Sequence, residues 1–165
     1  TYSRPPRASD GCVVLANQDL HRVGAALQVG ITPVIISNEV EWVKAGAGTT
    51  LRTKLAQHLE KWRRDWESGN TEAYIGHYGR DFFSGRQSLA EWSRHKRQVN
   101  TAKNWIKVRI SNIGIFLYPG RDDLVVVNFD QEYSSSNLSN KMKKRQYWMR
   151  EQKNGLWKII YEGTA

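Results

Sequence analysis

One cysteine, Cys12, occurs in 165 residues, so neither an intramolecular disulfide nor a cysteine-based zinc cluster can form. Long apolar runs are missing too. A stretch such as Thr32–Ile36 is far short of the roughly 18–20 residues that span a bilayer, and it reads as one buried strand. Proline is scarce, at four residues, and two of them, Pro5 and Pro6, keep Tyr2–Arg7 out of helix and central strand. No internal repeat or low-complexity segment is present. The chain opens on Thr1 with no charged-then-apolar leader, so a processed chain or an excised piece is expected.

What is present divides unevenly. Net charge is +9, yet residues 1–45 hold four basic and four acidic side chains, leaving 21 basic and 12 acidic in residues 46–165. Of 18 aromatic residues, only Tyr2 and Trp42 fall in the first part. Such a shift points to two unlike pieces, 1–45 and 46–165, joined near the small residues Ala45–Gly48.

In the first piece, Asn17 is the expected N-cap of a short helix carrying Leu20, Val23, Ala26 and Leu27 and ending near Gly30. Thr49 or Thr50 should cap a second helix, where Leu51, Leu55, Leu59, Trp62 and Trp66 recur at helical steps up to Gly69-Asn70. A short helix is expected around Thr71–Tyr78, and a third over roughly Arg86–Thr101. From Asn104 the period becomes two, giving strands near Ile106–Ile110, Leu124–Tyr133, Met142–Gln152 and Leu156–Glu162, with Asn154-Gly155 as a hairpin turn. Three helices and a four-stranded antiparallel sheet make an α+β domain.

The sharpest local feature is Ser9-Asp10-Gly11-Cys12-Val13-Val14-Leu15-Ala16-Asn17-Gln18-Asp19-Leu20. A glycine before a cysteine admits close approach of a carbonyl, and neighbouring amides can stabilise an oxyanion. A buried small hydrophobe is the plainer use of a lone cysteine. The order Ser-x-Gly-Cys, aliphatics, Asn-x-Asp-Leu, short helix and Gly-x-Thr-Pro-Val-Ile-Ile resembles the end of an L,D-transpeptidase (YkuD-type) catalytic domain, a mostly-β domain that makes or edits peptidoglycan cross-links. The resemblance implies Cys12 as nucleophile, Gly11 and the Cys12 amide at the oxyanion site, and Ser9 as the motif's hydroxyl. It further implies stem peptides as substrate, no cofactor, and a periplasmic, cell-envelope location. Asp10 stands where that family usually has histidine. The family's catalytic histidine lies upstream of the motif, and none of the eight residues before Ser9 is histidine. Residues 1–45 are therefore expected to be a catalytic-domain remnant, inactive alone.

Residues 46–165 resemble the nuclear-transport-factor-2-like (SnoaL-like) cone, whose curved sheet encloses a pocket. Some envelope L,D-transpeptidases are similar in carrying such a domain after the catalytic one. The candidate pocket residues are Trp62, Trp66, Tyr74, Tyr78, Trp92 and Tyr133. An isomerase would need a poised acid or base, and Asp81, His58, His77 and Asp130 are candidates. For all of these, core or loop roles are the plainer reading, and a non-catalytic pocket is expected. The basic excess suits an anionic wall or membrane surface better than nucleic acid, since no nucleic-acid-binding motif occurs. Val34, Ile35 and Ile36 should pack on the second piece or on a partner copy, and the sheet is another surface for a homodimer. A free-standing small-molecule binding or isomerase domain is the rival reading.

Overall fold

The computed structural model describes residues 12–29, 32–39 and 42–165. The chain divides into two compact units, Thr1–Val34 and Ile35–Ala165. Among the described residues, no helix is long and apolar enough to cross a membrane.

Among the described residues, the first unit carries one helix, α1 (Asn17–Gly24). It starts one residue earlier than the sequence suggests: Ala16, in extended geometry, takes the N-cap position and offers no side-chain cap. It ends at Gly24 rather than near Gly30, and none of its residues is buried. The strand expected over Thr32–Ile36 does not form. Strand geometry needs a hydrogen-bonding neighbour, and Val34, Ile35 and Ile36 stay 70%, 54% and 82% exposed in the single chain.

In the second unit, Ala45–Gly48 is a turn, with Gly46 and Gly48 at φ +87° and +79°. These left-handed values suit glycine. Helix α2 (Thr49–Glu67) follows, capped by Gly48 rather than by a threonine hydroxyl. Thr49 Oγ1 instead donates to the Gly46 carbonyl at 2.6 Å. Leu55, Leu59, Trp62 and Trp66 form its buried face. Gly69, at φ +75°, ends it as expected, and Asn70 caps α3 (Thr71–Ile75) by accepting from the Ala73 amide at 3.0 Å.

Strands β1 (Tyr78–Ser84) and β2 (Gln87–Ser88) precede α4 (Leu89–Thr101), which begins at a Ser88/Glu91 capping box. Then come β3 (Ile106–Leu117), β4 (Leu124–Ser135), β5 (Ser139–Arg150) and β6 (Trp157–Thr164). The last four form the expected antiparallel meander. The sheet nevertheless has six strands, ordered β2-β1-β6-β5-β4-β3, because β1 pairs parallel with β6. The extra strand is hard to read because Gly79 breaks its alternation. A Cβ there would lie 3.1 Å from Lys158 Cβ, so glycine permits close strand approach.

Candidate functional site

Register sets what the inner face of the sheet presents. Val125, Val127 and Phe129 of β4 sit opposite Trp148, Gln146 and Lys144 of β5, and Gln146 sits opposite Glu162 of β6. With Ile106, Val108 and Ile159, the apolar members pack against α2, Tyr74, Tyr78, Phe82 and Trp92. A polar row, Lys144, Gln146 and Glu162, therefore enters an aromatic core. All six aromatic residues marked as pocket candidates are 7% exposed or less and belong to this cluster.

Glu162, 4% exposed, is fully engaged. One carboxylate oxygen accepts from Lys144 Nζ at 3.0 Å. The other accepts from Gln146 Nε2 at 2.8 Å and Tyr78 Oη at 3.0 Å. Tyr78 has a single hydroxyl proton, and the anion takes it. Trp62 Nε1 (3.0 Å) and Tyr74 Oη (2.9 Å) then donate to the Tyr78 oxygen. Trp148 Nε1 donates to Gln146 Oε1 at 2.9 Å, closing the network. Burial pushes the Glu162 carboxyl up, but the Lys144 and Lys96 charges and the Gln146 amide outweigh it and hold it below the usual carboxylate range. The Tyr74 and Tyr78 hydroxyls are pushed well up, first by burial and then by the Glu162 charge.

Two further lysines approach this interior. Lys96 Nζ of α4 lies 5.7 Å from the Trp66 ring centre and 5.3 Å from that of Trp92. Burial lowers its ammonium pKa; Glu162 opposes that shift, while Lys144 and Lys103 add to it. Lys103 Nζ lies 5.6 Å from the Tyr133 ring and donates to Ser135 Oγ at 3.2 Å and Asn137 Oδ1 at 2.8 Å. Trp66 is stacked between Tyr74 and Tyr133, each at 5.1 Å, and its Nε1 has no partner. The Ser93 hydroxyl and Gln131 Oε1 are also buried without partners. Such orphans cost free energy unless a guest completes them. Three ammonium groups and one carboxylate thus stand beside buried donors and acceptors that lack partners.

The acid–base candidates are not brought together. Asp81 is exposed on β1. Asp130 lies on the outer face and accepts from Asn112 Nδ2 at 2.7 Å. His77 Nε2 is 2.6 Å from Asp65 Oδ2; burial lowers its pKa, and Asp65 partly opposes this. His58 is half-buried, with its ring 6.5 Å from that of Trp148, and burial lowers its pKa too. Ser9 and Gly11 lie outside the described residues. Cys12 is exposed, as is His21 on α1. Among the described residues, no group of three or more His, Cys, Asp or Glu could hold a metal ion.

None of Glu162, Gln146, Lys144, Lys103 and Lys96 is among the pocket candidates that the sequence offers. Lys143-Lys144-Arg145-Gln146 is polar on both faces of a strand, so alternation could not show which side chains turn inward. A usable signal was Gln146 two residues before Trp148, the same face of a strand.

The chain is similar over 94% of its length to Bd1075 of Bdellovibrio bacteriovorus, at 27% identity and a TM-score of 0.75. It is similar over 93% to the helical cell shape determining protein Pgp2 of Campylobacter jejuni (K307A mutant), at 23% identity and a TM-score of 0.70. It spans 56% and 53% of those two chains, little more than half of each. An NTF2-like protein of unknown function from Pseudomonas putida shares the fold over 69% of this chain and 84% of its own, at 15% identity and a TM-score of 0.58. No curated protein matches the sequence. Residues 54–163, the sheet and the helices it encloses, match the Cds6 C-terminal NTF2-like domain, and the chain belongs to that family.

Proposed function

We propose that this chain is the end of a bacterial cell-envelope L,D-transpeptidase, with Cys12 as nucleophile, followed by an auxiliary binding domain that positions the enzyme on peptidoglycan. The observation that carries this reading is where the similarity to Bd1075 reaches. It covers 94% of this chain, so it takes in much of the segment before residue 54, where the Ser9-Asp10-Gly11-Cys12 motif lies. The likeness to Bd1075 thus extends beyond the cone domain into the segment before it, which supports reading the two as parts of one protein. Pgp2, similar over 93%, is named for cell shape, which fits work on the wall.

In the intact enzyme the Cys12 thiolate attacks the carbonyl of a stem-peptide diaminopimelate–D-alanine bond. A C–S bond forms, the C–N bond breaks, and D-alanine leaves with the proton held by the base. The acyl group then passes to an amine or to water. The cone interior serves binding rather than catalysis. Glu162 is held ionised and already accepts three hydrogen bonds, so it lacks the near-neutral pKa of a general base. Lys96, Lys103 and Lys144 suit a stem-peptide carboxylate.

The full-length gene product should release D-alanine from tetrapeptide stems and lose that activity on Cys12→Ser, while the 165-residue chain alone should not turn over. Cys12-independent release, or none from the full-length protein, overturns the assignment. Lys96→Met should weaken stem-peptide binding to the chain by about tenfold, the effect of one lost charge-assisted contact. Unchanged binding removes the cone's part in it.

A further inference from the structure

Strand β3 is one edge of the sheet and pairs with β4 alone. Such an edge presents unpaired N–H and C=O groups, a template for another strand. Backbone groups of an antiparallel edge point inward and outward in turn, with a period of two residues. In the regular stretch 106–111, the groups of Val108 point outward to α2, and by the same period so do those of Ile106 and Ile110. Past Ser111 the edge loses its regularity. Asn112 and Ile113 stand against Phe129 alone, a bulge in which Asn112 takes φ +51° and donates to Asp130. The straight run open to an added strand is therefore short, and Val108 lies at its centre.

Two side chains of α2, one helical turn apart, occupy that centre. Glu67 Oε1 accepts from the Val108 amide at 2.7 Å, and Arg63 Nη1 donates to the Val108 carbonyl at 3.1 Å. An acceptor and a donor thus meet Val108 as the backbone of a neighbouring strand would. The two also hold each other, with Arg63 Nη1 2.5 Å from Glu67 Oε2. Glu60 completes the set, accepting from Arg63 Nε at 2.8 Å and from Nη2 at 2.7 Å. A planar guanidinium held this way is already oriented toward the strand. The Arg63 and Glu67 side chains are largely shielded from water, which strengthens these contacts. Water would satisfy the two Val108 groups as well, but only a protein partner also denies them to another strand.

We propose that the Arg63–Glu67 pair is a guard that closes the β3 edge to strand addition by a second copy of this chain. With Val108 taken, Ile106 and Ile110 remain as isolated outward residues, which cannot form the consecutive hydrogen bonds that seat a strand. A second copy is the strand to be excluded, because this edge matches itself. A two-fold antiparallel pairing centred on Val108 sets Ile106 against Ile110, with outward groups on both chains. The same pairing sets Lys107 against Arg109, and like charges opposed across strands repel. Salt weakens that second barrier more than the first, whose ions are shielded from solvent. The guard depends on α2 and β3 alone, whatever reaction the whole protein performs.

The test is sedimentation velocity of the chain at roughly 10–200 μM in about 0.5 M salt, which screens Lys107 and Arg109. Wild type should show no association that Ile110→Pro changes, since proline removes an outward amide and leaves the β3–β4 ladder intact. Arg63→Ala with Glu67→Ala should self-associate at least about tenfold more tightly than wild type, and adding Ile110→Pro should reverse this. Glu67→Gln keeps an acceptor for the Val108 amide and should stay close to wild type. Hydrogen exchange reads the guard without any change of assembly. The Val108 amide should exchange about tenfold faster in Glu67→Ala than in wild type, and within about threefold of wild type in Glu67→Gln. Circular dichroism melting confirms that each variant is folded. A folded double variant that stays as monomeric as wild type overturns the proposal, as does association that Ile110→Pro leaves in place. A wild-type oligomer that Ile110→Pro dissociates overturns it too, by showing the edge open. Equal Val108 exchange in Glu67→Ala and wild type does the same, and that reading needs only the single variant to fold.

Discussion

On the inner face of the sheet, Glu162 holds three donors within an aromatic core; on the outer face, Glu132 meets Lys141 in water, with side chains 43% and 77% exposed. Both are lysine–carboxylate pairs on neighbouring strands of one sheet. They differ in solvent. Inside, each lost partner leaves a charge or a hydroxyl with no water to replace it. Outside, water and salt take over at once. Similar residues on the two faces of one sheet thus do unlike work: the buried set specifies one packing, while the exposed set trades its partners with water and salt.

The core that surrounds the buried set should be the most sensitive to substitution. Trp62 is 0% exposed, touches Trp66, Tyr74 and Phe129, and donates to Tyr78. Trp62→Ala should cost about 3–5 kcal/mol in denaturant unfolding, or prevent folding. Glu162→Ala strands the Lys144 ammonium and frees two further donors, Gln146 and Tyr78, at a cost of about 3 kcal/mol. Glu162→Gln keeps the shape and should cost less. A loss no larger than that of an exposed carboxylate variant would mean that the inner row is open to water.

A smaller effect should appear with pH. The His58 and His77 pKa values are lowered from 6.5 by burial, so below that value the unfolded chain takes protons that the folded chain refuses. Stability should therefore be flat above about pH 6.5 and fall as pH drops below it. Glu162, held below its ordinary 4.5, adds a second loss as pH falls below that value. His77→Gln should flatten the first decline; an unchanged profile would sink the assignment. On the outer face, Gly163→Ala should cost about 1 kcal/mol, because the Tyr161 ring must move. Lys141→Ala should leave the melting temperature unchanged, as befits an exposed pair.

The sequence announces the meander well, because period two is strong in Ile106–Ile110 and Leu124–Tyr133 and turn residues lie between the strands. Helix α2 is equally legible from its leucine and tryptophan spacing. Strand β1 is not, since its pairing with β6 joins residues some eighty positions apart and Gly79 blurs its alternation. The α4 start was available in Ser88-Leu89-Ala90-Glu91, a capping-box pattern, which moves it from Arg86 to Leu89. The site was half legible: its aromatic members follow helical and strand spacing, while its charged members look like ordinary surface residues.

Spacing and composition were enough for most of the element order, the aromatic core, the split in charge between the two pieces and the single thiol in a Ser-x-Gly-Cys setting. Which lysines turn inward, that Glu162 closes the network, and that four aromatic residues (Phe83, Phe116, Tyr147 and Tyr161) share one row of the outer face came from packing between distant segments. The reason is physical. Spacing along a chain states which residues share a face, but burial of that face, and hence the strength of every charge on it, depends on strands and helices brought in from far along the chain.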